Sequence, residues 1–206
     1  LAKHPRYGAI REILEGYGLT RGATGMEIVS DMAVRQVGTL PGGMPVYVSA
    51  TALEADHVLL VHRIKPHTDF RGKIGSGLLK MCVIGLGKRT GAAAMHRAAS
   101  RLGHERAIRS MAGVLLRRAP ILGGLAILEN QFHETARLVA IPHAEMETAE
   151  DALVIEARGL MPLLPFDVID LLIVDRLGKN ISGSGMDPNV TNRWVSGYLT
   201  TLMRTD

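Results

Sequence analysis

The stretch His57-Val58-Leu59-Leu60-Val61-His62, running straight into Arg63-Ile64-Lys65-Pro66-His67-Thr68-Asp69-Phe70-Arg71-Gly72-Lys73, decides the class of fold. Its first part is a short apolar run closed by histidines. Such a run reads as a strand buried in a parallel sheet that is covered on both faces. Its second part is polar, basic and ends near glycine. A loop that only reverses the chain needs about two to six residues, so this one is longer than its connection requires. In open α/β sheets, ligands bind beyond the carboxyl ends of strands. A strand delivering its chain into a long charged loop therefore predicts a binding crevice at that end.

Working outward, Ile10 to Leu14 reads as the end of a short helix closed by Gly16 and Gly18. Val34 to Val37 and Val46 to Val48 read as short strands around the turn Pro41-Gly42-Gly43, and Thr51 to Ala55 as one helical turn. Gly77 to Ile84 is expected to be helical until Gly85-Leu86-Gly87 breaks it. Helices are expected at Ala92 to Leu102 and at Glu105 to Arg118, the latter apolar at Ile108, Met111 and Leu115 and basic at its end, as the helix dipole favours. Leu122 to Leu128 reads as a second buried strand, Glu145 to Met161 as an amphipathic helix, and Val168 to Val174 as a third strand opening into the glycine-rich loop Gly178 to Asn192. Strands alternating with helices give an α/β fold, with a mostly parallel sheet and helices on both faces. The expected division is a main α/β domain over residues 1–160 and the start of a second α/β domain, or a linker, over 161–206.

Composition narrows the partners. Of the 206 residues, 47% are apolar and only 4% aromatic, so the core is aliphatic and stacked-base recognition of nucleic acid is not expected. The net charge of +4 suits an acidic small molecule or a phosphate. The single cysteine, Cys82, rules out an internal disulfide or a Cys₄ metal site and fits a reducing cytoplasm. No secretory leader opens the chain, and no uninterrupted apolar run approaches the ~18 residues of a membrane span, so a soluble cytoplasmic protein is expected. The chain begins at Leu1 and stops shortly after Met203, which reads as an internal piece of a longer protein.

The chemistry concentrates between His62 and His96. Here lie His62, His67 and His96, the cations Arg63, Lys65, Arg71, Lys73, Lys80 and Lys88, and glycines at 72, 75, 77, 85, 87 and 91 that admit close backbone approach to a ligand. This is an anion site in plain chemical terms. It is not a P-loop: Gly87-Lys88 is followed by Arg89, and the first glycine of the pattern falls on Cys82. Lys80 interrupts Leu78-Leu79-Lys80-Met81-Cys82-Val83-Ile84, where a lysine either snorkels or is kept for chemistry. His96, in Ala92-Ala93-Ala94-Met95-His96, is either structural or a ligand, and His67 either an exposed loop residue or a functional one. A zinc site from His62, His67 and His96 lacks the carboxylate such sites usually include.

Three strings carry a family resemblance: Val61 to Gly72, then Gly75-Ser76-Gly77-Leu78-Leu79-Lys80-Met81, then Ile84-Gly85-Leu86-Gly87-Lys88. A fourth, Asp175 to Val190, follows in the expected order. Together they resemble the lactate-racemase-like, nickel-pincer-nucleotide-dependent isomerases. The resemblance implies a racemase or epimerase of a 2-hydroxy acid, lactate-like or a sugar acid, served by cofactor-synthesis enzymes. It implies that residues 1–160 are the cofactor-anchoring domain. The cofactor would be pyridinium-3,5-bisthiocarboxylic acid mononucleotide nickel, tethered through Lys80, with His96 completing the nickel coordination. His67 would be one acid/base residue and His4, the only histidine before His57, the other. Lys65, Arg71, Lys73, Gly75 and Gly77 would hold the cofactor, and Asn192 and Arg193 the substrate. Thr191-Asn192 stands where lactate racemase carries a tyrosine-glutamine pair, which leaves the 2-hydroxy acid open. The alternatives are a nucleotide- or phosphate-binding protein without redox chemistry, which does not need Lys80 or His96, and a non-catalytic interaction domain.

Overall fold

The computed structural model describes residues 5–68, 70, 72–176 and 186–191. The chain forms two compact units, Leu1–Ala33 and Val34–Asp206. In the first, α1 (Pro5–Gly16) gives way at Gly18, whose φ of +79° lies in the left-handed region, and α2 (Arg21–Thr24) follows. The hydroxyl of Thr20 caps α2 by accepting the Ala23 N–H at 3.2 Å.

The second unit holds two sheets. β1 (Val34–Leu40) and β2 (Met44–Ser49) form an antiparallel hairpin. Its turn uses Gly42 and Gly43 at φ of +83° and +78°. After α3 (Ala50–Glu54), the chain enters the second sheet at β3 (Val58–Arg63). A long crossover then runs through α4 (Leu78–Lys80), a π-helical turn (Met81–Gly85), α5 (Lys88–Leu102) and α6 (His104–Arg118). It returns in β4 (Ile121–Glu129), parallel to β3. A helical crossover between parallel strands makes this an α/β fold, as the sequence predicts.

The sheet is mixed. β5 (Thr135–Pro142) pairs antiparallel with β4, giving the order β3-β4-β5. β5 is not among the expected strands: its apolar residues, Leu138-Val139-Ala140-Ile141, are few and most of the strand is exposed. The turn before it is legible in hindsight: Asn130 Oδ1 accepts the N–H groups of Phe132 and Glu134 at 2.9 and 3.0 Å, closing an Asx-type reversal. A short 3₁₀ turn (His143–Glu145) leads into α7 (Met146–Gly159).

The core lies between this sheet, α4, α6 and α7, where Leu60, Leu78, Leu79, Met111, Leu128 and Val154 are buried. Leu78 packs directly over Gly124 of β4. Residues of β3 alternate: Leu60 is buried, while Leu59 and Val61 on the other face are 58% and 55% exposed. Among the described residues, the helices thus cover one face of the sheet. The expected strand at Val168 to Val174 does not form. These residues have no ladder partner among the described residues, and Val168, Leu171 and Ile173 stand exposed. An apolar run becomes a strand only where another strand satisfies its backbone groups. Further on, α8 (Pro188–Thr191) is a single turn.

Candidate functional site

Lys80 ends α4, where the helix widens into the π turn. Leu78, Leu79, Cys82 and Val83 all face inward, at helical spacing, and are buried. Lys80 lies off that stripe and is half-buried. The apolar run is therefore one face of a short helical segment, and the lysine sits at its margin. π-helical turns recur at functional positions because the widened turn displaces side chains from ordinary helical register. Cys82 is inert: burial pushes its thiol up to about 12.

His62, on β3, belongs to the same sheet face as Leu60 and is half-buried. Its Nδ1–H donates to the Arg63 carbonyl at 2.7 Å. Burial holds the imidazole below its ordinary range, and the positive charges of Arg63, Lys80 and Lys65 act in the same direction.

The loop after β3 is braced at several points. Lys65 and Ser76 exchange backbone hydrogen bonds of 3.0 and 2.8 Å, closing its base. The N–H of Lys73 donates to Glu105 on α6 at 3.1 Å, and Arg158 of α7 donates to the Gly72 carbonyl at 2.6 Å. Arg109 ties the two helices together by bonding Glu105, Glu147 and Asp151. Within the loop, the ring of His67 stacks on Phe70 at 4.3 Å, and Phe70 stacks on His104 at 5.0 Å. Asn189, from α8, donates to the His67 carbonyl at 3.1 Å. The two polar segments singled out from the sequence thus meet at His67.

The two glycines assigned to cofactor binding have packing reasons to be glycine. A Cβ at Gly75 would stand 2.2 Å from the Lys65 carbonyl oxygen, and one at Gly77 would stand 2.5 Å from Glu150 Oε1. Lys65 and Lys73 have exposed side chains. His96 is exposed on α5, one residue past the buried Met95. His4, Arg71, Asn192 and Arg193 lie outside the described residues. Among the described residues, no three of His, Cys, Asp and Glu gather closely enough to hold a metal ion, so the proposed zinc grouping of His62, His67 and His96 is not assembled. No helix of the described residues is long and apolar enough to cross a membrane.

Glu150 is the residue that sequence reasoning missed. It is buried on α7 among Met146, Leu153, Val154 and Ala157. Its Oε2 accepts the Leu79 N–H at 2.8 Å. Burial pushes the carboxyl up to about 7, opposed by the N–H groups of Leu79 and Leu78. A signal was present: a glutamate at an inward position of an amphipathic helix needs a buried partner.

No family model and no curated protein matches this chain. Among solved structures, it is similar to the lactate racemase apoprotein from Thermoanaerobacterium thermosaccharolyticum, with a TM-score of 0.50 and 16% identity. The match covers 69% of this chain and 37% of that one. The likeness is one of fold, and the chain spans little more than a third of that structure.

Proposed function

We propose that this chain is the cofactor-anchoring part of a racemase or epimerase that acts on a 2-hydroxy acid with a nickel-pincer nucleotide. The observation that carries the reading is Lys80, a half-buried lysine beside the buried Leu78, Leu79, Cys82 and Val83, placed where the helix widens into a π turn. The fold likeness to the lactate racemase apoprotein supports it. The donor set suits such a group. Lys80 would form the covalent tether, the exposed imidazole of His96 would complete the nickel coordination, and Lys65, Arg71 and Lys73 would meet its phosphate or the substrate carboxylate. Gly75 and Gly77, packed against the Lys65 carbonyl and Glu150, would shape the backbone that holds it. When bound, the cofactor would supply the acceptor for the hydride from the substrate's chiral carbon.

The chain's own part is proton chemistry and positioning. His67 would take the hydroxyl proton as the carbonyl forms and return it on reversal, a role an imidazole can fill as acceptor and donor. The stack with Phe70 and the bond from Asn189 to its carbonyl fix the plane and backbone of His67. His4 would serve the opposite face, and Asn192 and Arg193 would hold the substrate.

The test is co-expression of the full chain with cofactor-synthesis enzymes, followed by intact-mass and metal analysis. The expected result is an adduct on Lys80 and near-stoichiometric nickel that is lost in His96→Ala. Absence of the adduct, or nickel unaffected by His96→Ala, overturns the assignment. His67→Ala is expected to keep the adduct while abolishing exchange of the substrate's carbon-bound hydrogen, and unchanged turnover overturns the acid/base role.

A further inference from the structure

α4 begins at Gly77, which offers no side chain to cap the helix. The first amides of a helix are left without intrahelical partners and carry the positive end of its dipole. Here the missing cap comes from 71 residues away, as Glu150 of α7 accepts the Leu79 N–H at 2.8 Å. Among the described residues, Glu150 is the only fully buried member of the Asp, Glu, Lys and Arg set. Its other oxygen, Oε1, is buried with no hydrogen-bond partner among them and lies where a Gly77 Cβ would project, 2.5 Å away. A buried carboxylate is costly, and one half-satisfied is costlier. Leucine or methionine at 150 would pack in the same core without that cost. What the carboxylate does that they cannot is grip the start of the segment that ends in Lys80.

We propose that Glu150 is a positioning residue for Lys80, fixing the Leu78–Gly85 segment from α7 through the Leu79 amide, with Gly77 kept small to admit it. This rests on the reading of Lys80 as the tether. It adds a device set by residues outside the loop: the lysine is placed by a helix that contributes none of the proposed anion-binding groups.

The experiment is amide hydrogen exchange by mass spectrometry on the 206-residue chain, together with pulse acetylation of Lys80 referenced to Lys88. In Glu150→Ala, exchange over residues 78–86 is expected to rise about tenfold, as loss of the bond from the Leu79 N–H to a buried acceptor implies. Lys80 labelling should shift relative to Lys88, while exchange in α6 stays unchanged. Glu150→Gln keeps a carbonyl acceptor and is expected to restore near-native exchange and labelling. Gly77→Ala, which leaves Glu150 in place but occupies its space, should reproduce the Glu150→Ala pattern. It also carries the test if Glu150→Ala fails to fold. Unchanged exchange over 78–86, equal acceleration throughout α6 and β4, or Glu150→Gln behaving as Glu150→Ala overturns the proposal. In the co-expression assay, a wild-type chain without adduct sinks the tether reading and leaves the exchange result standing. Equal adduct formation by wild type and Glu150→Ala sinks the positioning role alone.

Discussion

Two segments of this chain look alike on paper and behave differently in three dimensions. His57–Lys73 and Asp167–Asn192 each begin as an aliphatic run and continue as a polar, glycine-bearing loop. The first becomes β3, paired along its length with β4, and its loop is fastened to α6, α7 and α8. In the second, residues 167–176 have no ladder partner among the described residues, and Val168 and Ile173 are 81% and 83% exposed. Hydrophobic composition is the same in kind. The difference is a partner strand supplied by the crossover through α4–α6, which returns Ile121–Glu129 alongside Val58–Arg63 and satisfies its backbone. Pairing satisfies the backbone of β3, and the helices over one sheet face then bury Leu60.

Truncating matched apolar residues is the most direct way to break this contrast. Leu60→Ala removes a core side chain of β3 that is only 6% exposed, and is expected to cost ~3 kcal/mol in denaturant unfolding. Ile173→Ala should cost less than about 0.5 kcal/mol, as surface substitutions do. Comparable losses at the two positions would show that residue 173 is buried in solution and that the two segments are equivalent after all.

The braced segment was the more legible one for a physical reason. β3, α5, α6, β4 and α7 announce themselves through apolar runs or stripes whose burial the tertiary structure then realises. The same rule misassigned Val168–Val174, because periodicity reports a tendency to be buried and not the presence of a partner. It missed β5, whose pairing is backbone work done by an exposed strand after an Asn130 turn. At the site, Lys80 and the loop after β3 were legible as oddities of composition. The His67–Phe70–His104 stack, the Asn189 contact and the Glu150 cap were not, since each joins residues whose pairing depends on the fold.

A second prediction sharpens the contrast electrostatically. The Glu150 carboxyl titrates at about 7, above its ordinary value of 4.5, so the folded chain binds that proton more tightly than the unfolded chain. The associated stability is fully present below 4.5 and is lost as pH rises through 7. Arg109 from α6 and Asp151 on α7 act on it in opposite directions, and Cys82 of the π turn stays neutral across the range. Relative to Glu150→Gln, the native chain should therefore lose on the order of 1–3 kcal/mol between these limits. Parallel profiles for native chain and Glu150→Gln would remove the buried carboxylate from the account. A smaller effect is expected at Phe70: Phe70→Ala removes both ring contacts and should cost ~1 kcal/mol, with the His67 ring proton resonances losing their ring-current shift.

A further prediction tests a place where the two segments touch. Asn189 is held by Asp187, whose Oδ1 accepts from both its backbone N–H and its side-chain amide at 2.9 Å. The amide also reaches the His67 carbonyl at 3.1 Å. A half-buried, neutral bond of this kind contributes about 0.5–1.5 kcal/mol. Asn189→Ala should therefore lower stability only slightly, yet speed amide exchange over residues 64–70 while leaving 78–86 at its native rate, since that segment is held from α7. If both stretches respond together, the loop and the Lys80 segment are one cooperative unit and the bracing points are redundant. If only 64–70 responds, His67 is steadied by the C-terminal segment and Lys80 by α7, so the proposed proton-transfer residue and the proposed tether can be perturbed independently.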